Sequence, residues 1–227
     1  KPLKSSLYAE DEKSLAGWRT GEGIAGFASA EMDEPGNYAG SAASPEERSE
    51  IVVVHPTLGM RDPWRYRNKA QVPIGEEQGG LIGGFYAQGS HRIIDTDACL
   101  IQHEQNDEVI RQVKAIGREL GISAYNEQTG EGLLRHVVVK VSFHTGELMV
   151  VLVTNGERIP REAEWISRIR EKVPAVASIC QNINTRQTNV IFGERTRILW
   201  GREYIVDRIG EVQFAISARS FYQVNPV

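Results

Sequence analysis

Leu133-Leu134-Arg135-His136-Val137-Val138-Val139-Lys140-Val141-Ser142-Phe143, then His144-Thr145-Gly146, then Glu147-Leu148-Met149-Val150-Val151-Leu152-Val153-Thr154, reads as two strands joined by a turn at Thr145-Gly146. Successive side chains of a strand point to opposite faces. Val137, Val139, Val141 and Phe143 therefore share one face of the strand over 133–143. The strand over 147–154 is apolar at nearly every position, the pattern of a strand covered on both faces in the middle of a sheet.

The flanking sequence supplies helices. Over 103–120, Val109, Val113, Ile116 and Leu120 fall at i, i+4, i+7 and i+11, one apolar stripe with charges elsewhere, and Gly121 is placed to stop it. A second helix spans about 162–172, with Trp165, Ile169 and Val173 on its stripe and Pro174 at its end. Residues 66–74 and 81–87 read as strands around the hairpin loop 75–80, and 91–94 adds a short one. Further short strands are expected at 51–54, 178–184, 190–192, 198–200, 204–207 and 212–217. Two helices against many strands, in no strict alternation, give an α+β fold around a largely antiparallel or mixed sheet.

Composition narrows the field. The chain has 227 residues, 41% of them hydrophobic and 25% charged, ordinary for a globular protein. Its net charge of -4 is uneven: residues 1–50 carry five basic and ten acidic residues, and the rest is close to neutral. Any nucleic-acid contact must then come from a local basic patch rather than a global field. The run Pro35 to Pro45 lacks periodicity and reads as linker or disorder, so 1–50 is expected to be a low-complexity or divergent segment. Cys99 and Cys180 are the only cysteines, too few for a disulfide framework or a metal cluster. A reducing, cytoplasmic setting is the simplest expectation, with no metal and no membrane span.

Three stretches can carry recognition chemistry. In Trp64-Arg65-Tyr66-Arg67-Asn68-Lys69, a strand would project Arg65, Arg67 and Lys69 together, about 7 Å apart, a spacing suited to a phosphate backbone, with Trp64 and Tyr66 as stacking faces. The same charges would also protect a solvated edge strand. Thr129-Gly130-Glu131-Gly132 reads as a flexible loop delivering Arg135, for a phosphate or a structural ion pair, and His136, for a base or a structural bond. Gln181-Asn182-Ile183-Asn184-Thr185-Arg186-Gln187-Thr188-Asn189 is dense in amides and hydroxyls, which read base edges or stabilise turns.

Together with Ser217-Ala218-Arg219-Ser220-Phe221-Tyr222-Gln223-Val224-Asn225-Pro226-Val227, those stretches resemble the S-adenosylmethionine-dependent RNA (uracil-5-)-methyltransferases, the bacterial ribosomal-RNA branch in particular, over roughly residues 51–227. The resemblance implies a central RNA-recognition domain at 51–216 and, at 217–227, the start of a Rossmann-like cofactor domain that the chain lacks. It implies that Gln223 lies against S-adenosylmethionine, and that Trp64, Arg65, Arg67, Lys69, Arg135 and His136 contact RNA, ribosomal RNA in the first place. In such enzymes a cysteine adds to carbon 6 of uracil, carbon 5 takes the methyl group to give 5-methyluridine, and a base removes the carbon 5 proton. Neither Cys99 nor Cys180 sits in the proline-rich loop of that nucleophile, so no catalytic residue is assigned and the chain alone is expected to be inactive. No Cys precedes Cys99, which leaves no ligands for the family's iron–sulfur cluster. Two rival readings are a free-standing RNA-binding module and a small-molecule enzyme using Glu127 and Glu131 as acid and base.

Overall fold

The computed structural model describes residues 54–222 and 225. The expectations for residues 1–50, for the strand residues 51–53 and for Gln223 lie outside them. The chain divides into two compact units, Lys1–Thr57 and Leu58–Val227; of the first, the described residues 54–57 carry no helix or strand.

The second unit contains, in chain order, β1 (Lys69–Glu77), β2 (Gly80–Tyr86), β3 (Ile93–Asp95), α1 (Glu104–Glu119), β4 (Leu134–Val141), β5 (Leu148–Thr154), α2 (Glu162–Lys172), β6 (Val176–Ile183), β7 (Arg195–Gly201), β8 (Tyr204–Ile209) and β9 (Val212–Ser217). The first seven strands form one sheet in the order β3-β2-β1-β4-β5-β6-β7, and β8-β9 form a separate hairpin. All neighbours in the sheet are antiparallel except β5 and β6, which run parallel with α2 in the connection. A parallel pair cannot be closed by a tight turn, so the crossover helix is a necessity of that step. This is the α+β architecture with a mixed sheet and two helices that the patterning indicates.

β5 is buried along its whole length. Its two faces sort cleanly. Leu148, Val150 and Leu152 join Val137, Val139 and Val141 of β4 in a core that α1 and α2 cover. Met149, Val151 and Val153 join Val138 and Cys180 in a second core, covered by Ile205 and Ile216 of the β8-β9 hairpin and by Tyr222. Phe143, expected on the face of Val137, lies past the end of β4, partly exposed, its ring edge-on to His103 at 4.9 Å.

Helix ends obey local rules. His103 caps α1, its Nδ1 accepting from the Gln105 amide. Gly121, at φ +68°, donates to the Arg118 carbonyl and Ile122 donates to the Gly117 carbonyl, a Schellman closure that needs a left-handed residue at position 121. Trp165 of α2 is fully buried and lies near Gly117 of α1, where a Cβ would also strike Leu81.

The hairpin expected around 75–80 is tighter than its sequence suggests. β1 and β2 pair out to Glu77 and Gly80, and only Gln78 and Gly79, both at positive φ, make the turn. Residues 190–192 form no strand: Asn184 instead holds the Val190 and Ile191 carbonyls through its side-chain amide. After β9 the chain does not continue as a strand through 218–222. Lys140, buried on β4, donates to the Ser217 and Ser220 carbonyls there, and burial together with Lys69 lowers its pKa to about 8. Tyr222 bonds the Asp207 carboxylate, which also accepts from Ser142 and the His144 amide.

Replacing Trp165 by Ala should lower the free energy of unfolding by about 3–5 kcal/mol in urea titrations, because a large cavity opens between the two helices. Trp165→Phe should cost clearly less, since Nε1 has no hydrogen-bond partner to orphan. A loss below about 1 kcal/mol for the Ala variant would contradict this packing.

Candidate nucleic-acid interface

The row of cations expected from a single strand at 64–69 is not formed, which corrects the geometry read from the sequence. β1 begins only at Lys69, and Arg65 adopts a left-handed φ of +55° that turns the chain before it. The Arg65 guanidinium is occupied inside the protein: Nη1 donates to the carbonyls of Cys99 and Gln102 and to Asp107 at 2.6 Å. Lys69 is buried, and burial and then Arg67 lower its pKa. Arg67 is half-buried, with Nε lacking a hydrogen-bond partner, and Trp64 is half-exposed.

Arg135 and His136, by contrast, are brought together. Adjacent residues of a regular strand face opposite ways, yet both line one groove of about 1030 Å³ between the β1–β3 strands and the loop 124–128. A bulge resolves the paradox. Leu134 pairs with Thr154 and His136 with the preceding residue Val153, so Arg135 is an extra residue in β4. The shift also returns Leu134 to the helix-side core, which strict alternation from Val137 would have denied it.

The groove is built of fixed parts. Arg135 is 5% exposed; its Nη1 donates to the Asn184 and Arg186 carbonyls, and its Cζ lies 4.3 Å from the centre of the Tyr125 ring. The loop before it is compact rather than flexible. Asn126 accepts from the Gln128 and Thr129 amides, Asn155 donates to the Gly130 and Gly132 carbonyls, and the Tyr125 amide donates to the Leu134 carbonyl. Gly132, at φ +89°, admits no side chain, since a Cβ would lie 1.8 Å from the Ala124 carbonyl oxygen. Opposite, Tyr86 meets His91 edge-on at 5.9 Å, and Glu127 is 2.8 Å from His91 Nδ1.

His136 is the chemically distinctive residue. Burial, then the neighbouring Arg135 guanidinium, lower its pKa to about 4, while Glu127 opposes the shift. The ring is thus neutral at neutral pH, and its buried Nδ1 has no partner among the protein's own atoms. With Nδ1 buried, Nε2 is the nitrogen left to meet a base or a ribose hydroxyl, as donor or acceptor according to the tautomer. The lining is also not a phosphate funnel. Glu76, Glu77, Asp95 and Glu127 outnumber Arg92 and Arg135.

The remaining candidates separate. Glu127 lines the groove, whereas Glu131 is exposed and outside its lining, so the two do not form an acid–base pair there. Burial pushes the Cys180 thiol up, which disfavours the thiolate a nucleophile needs. Among the described residues no three His, Cys, Asp or Glu side chains cluster as a metal site, and no helix is long and apolar enough to cross a membrane. Gly80 and Gly83 face Arg118 and Ile74, where a Cβ would collide, so protein packing explains them. Sequence reading did not single out Tyr86, His91 or Arg92; their only signal was the strand–turn–strand pattern that joins them to the groove.

No family model matches the chain. It is 62% identical over 175 residues, 77% of this chain and 38% of the relative, to an uncharacterised RNA methyltransferase of Halalkalibacterium halodurans. An uncharacterised RNA methyltransferase of Bacillus cereus is 57% identical over the same length and shares, and one of Listeria monocytogenes is 51% identical over 176 residues, 78% of this chain and 39% of the relative. Among solved structures, the Pyrococcus abyssi tRNA (uracil-54, C5)-methyltransferase in complex with S-adenosyl-L-homocysteine matches with a TM-score of 0.59 and 28% identity, over 73% of this chain and 39% of that one. The chain therefore spans about two fifths of the length of the relatives it matches.

The pKa of His136 sets a pH dependence with a definite sign. The folded value, about 4, lies below the ordinary 6.5, so as pH falls the unfolded chain takes the proton first. The stability held above pH 6.5 should decline as pH falls through 4, by about 3 kcal/mol in all for this group. Urea midpoints measured against pH should lose that component in His136→Gln, and the His136 Cε1 proton should titrate well below pH 6 in NMR; titration near 6.5 would show an exposed ring.

Proposed function

Because this chain belongs to the RNA uracil-5-methyltransferase family, we propose that it serves an enzyme that transfers a methyl group from S-adenosylmethionine to carbon 5 of a uridine, and that the part described binds and positions the RNA. The observation that carries this reading is the groove at Arg135 and His136. It offers aromatic rings, a neutral imidazole and a guanidinium stacked on Tyr125 and held by the Asn184 and Arg186 carbonyls. These groups suit the faces and edges of unpaired bases, which is how single-stranded RNA is read. They suit a phosphate backbone poorly, because carboxylates outnumber guanidiniums around them.

Ribosomal RNA as the substrate and a cytoplasmic setting belong to the same reading. Trp64 and Arg67 are proposed as flanking RNA contacts; Arg65 and Lys69 would act there only indirectly, through the fold. Gln223, the residue proposed to contact S-adenosylmethionine, lies outside the described residues. The methyl-transfer chemistry accordingly is assigned to none of the residues described.

The test is fluorescence anisotropy of the 227-residue chain with a labelled single-stranded RNA containing uridine and with the same sequence as a duplex. The single strand should bind tighter. Tyr86→Ala, which alters an exposed groove wall, should weaken it by about tenfold, the loss of one stacking face. With one or two phosphates contacted, the slope of log K against log salt should lie between about -0.7 and -1.4. Tighter binding of the duplex, or a Tyr86→Ala variant as good as the parent, would overturn the proposal.

A further inference from the structure

Arg135 and Tyr125 wall two spaces, not one. A smaller cavity of about 190 Å³ shares Tyr125, Glu127 and Arg135 with the groove and is bounded further by Gln187, Thr188 and Asn189. Its volume suits a single base. The amide-rich loop that the sequence leaves open between base reading and turn formation supplies its outer wall, and the structure divides the labour within that loop.

The asparagines underneath are structural. Asn182 donates to the Gly193 and Arg195 carbonyls and accepts from the Gly193 amide, and Asn184 donates to the Val190 and Ile191 carbonyls and accepts from the Arg186 amide. Arg135 pins the same segment through the Asn184 and Arg186 carbonyls. With the backbone so held, Gln187 and Asn189 are exposed at the cavity, and neither side-chain amide has a hydrogen-bond partner among the described residues. Both Arg135 bonds leave from Nη1, so Nε and Nη2 of the fork carry no protein acceptor there. Donors and acceptors held on a fixed frame are what edge recognition of a base requires.

We propose that this cavity is a second base-reading subsite, taking the nucleotide adjacent to the one in the main groove, and that Gln187, Asn189 and Glu127 select there a base with an exocyclic amino group over uracil. The inference rests on the RNA reading above and goes beyond it to sequence preference. The direction of the preference follows from Glu127, which faces both spaces. An ionised carboxylate only accepts hydrogen bonds. Glu127 Oε2 already lies 2.8 Å from His91 Nδ1 and Oε1 3.4 Å from the Tyr86 hydroxyl. The remaining lone pairs suit the amino groups of adenine, cytosine and guanine; uracil offers only N3–H, flanked by O2 and O4 that set oxygen against oxygen. The two amides, each able to donate and accept, complete the remaining edge.

The experiment measures binding of the 227-residue chain to short single-stranded RNAs that keep one uridine fixed and vary the base on either side. At one of the two flanking positions, uracil should bind about tenfold more weakly than adenine or cytosine, the size of one lost edge contact. Gln187→Ala combined with Asn189→Ala should bring that ratio within about twofold, and Glu127→Gln, which can donate, should reduce it as well. Both loop residues are exposed and their segment is held by other side chains, so the double variant should keep the parent melting curve. Tyr86→Ala should weaken all the RNAs, and because the Tyr86 hydroxyl lies 3.4 Å from Glu127 Oε1 the ratio is read in the parent and in the Gln187/Asn189 and Glu127 variants. Equal affinities for every flanking base with Tyr86 still required, or a ratio that survives the double variant, would sink the subsite and leave the groove standing. Loss of any dependence on Tyr86 would remove both.

Discussion

β5 has no face to give to water. Seven consecutive residues, Leu148 to Thr154, are buried, and a strand with that property must lie between two strands and beneath two layers. The neighbours are β4 and β6, one antiparallel and one parallel. The layers are chemically different. Two amphipathic helices supply one with Trp165 at its centre, and a two-stranded hairpin with Tyr222 supplies the other. Everything that positions the groove hangs from this sandwich, because β4 is locked in register on both sides.

Within that lock, one residue too many becomes a device. Arg135 has no partner of its own on β5, and the bulge it creates turns its side chain to the same side as His136. Bulges of this kind cost ladder bonds and persist where a side chain has to be re-aimed. Here the cost is offset by two carbonyl acceptors and the Tyr125 ring. The same guanidinium thus fixes the strand and the 184–186 segment and lines both cavities. Its charge is spent inside the protein, and so are those of Arg65, on Asp107, and Lys140, on the carbonyls of Ser217 and Ser220. Conspicuous cations in this chain hold the fold together more than they advertise a field.

Two of the three buried lysines among the described residues, Lys69 and Lys140, show the same economy near the end of β9. Lys140 reaches across the sheet face to the turn after Ser217, and Lys69 lies over the Phe221 ring at 5.9 Å. Tyr222 closes the corner on Asp207. Burial lowers both lysine pKa values, so these ammonium groups are retained by acceptors and an aromatic face rather than by water.

Sequence by itself determined the elements that bury apolar surface: the two helices, the central strands and the β8-β9 hairpin, because hydrophobic periodicity records which side of an element is dry. It also marked Arg135, His136 and the amide-rich loop as the polar residues worth following. It misjudged the 64–69 stretch and the 75–80 turn, where alternation of residue types says nothing about backbone hand. Only tertiary structure decided the bulge at Arg135, the inward commitment of Arg65 and the split of the 181–189 run into structural asparagines and exposed amides. The physical reason is distance along the chain. Arg135 is set by a carbonyl 49 residues away and Arg65 by a carboxylate 42 away, and no local pattern encodes a partner that only the folded sheet brings near.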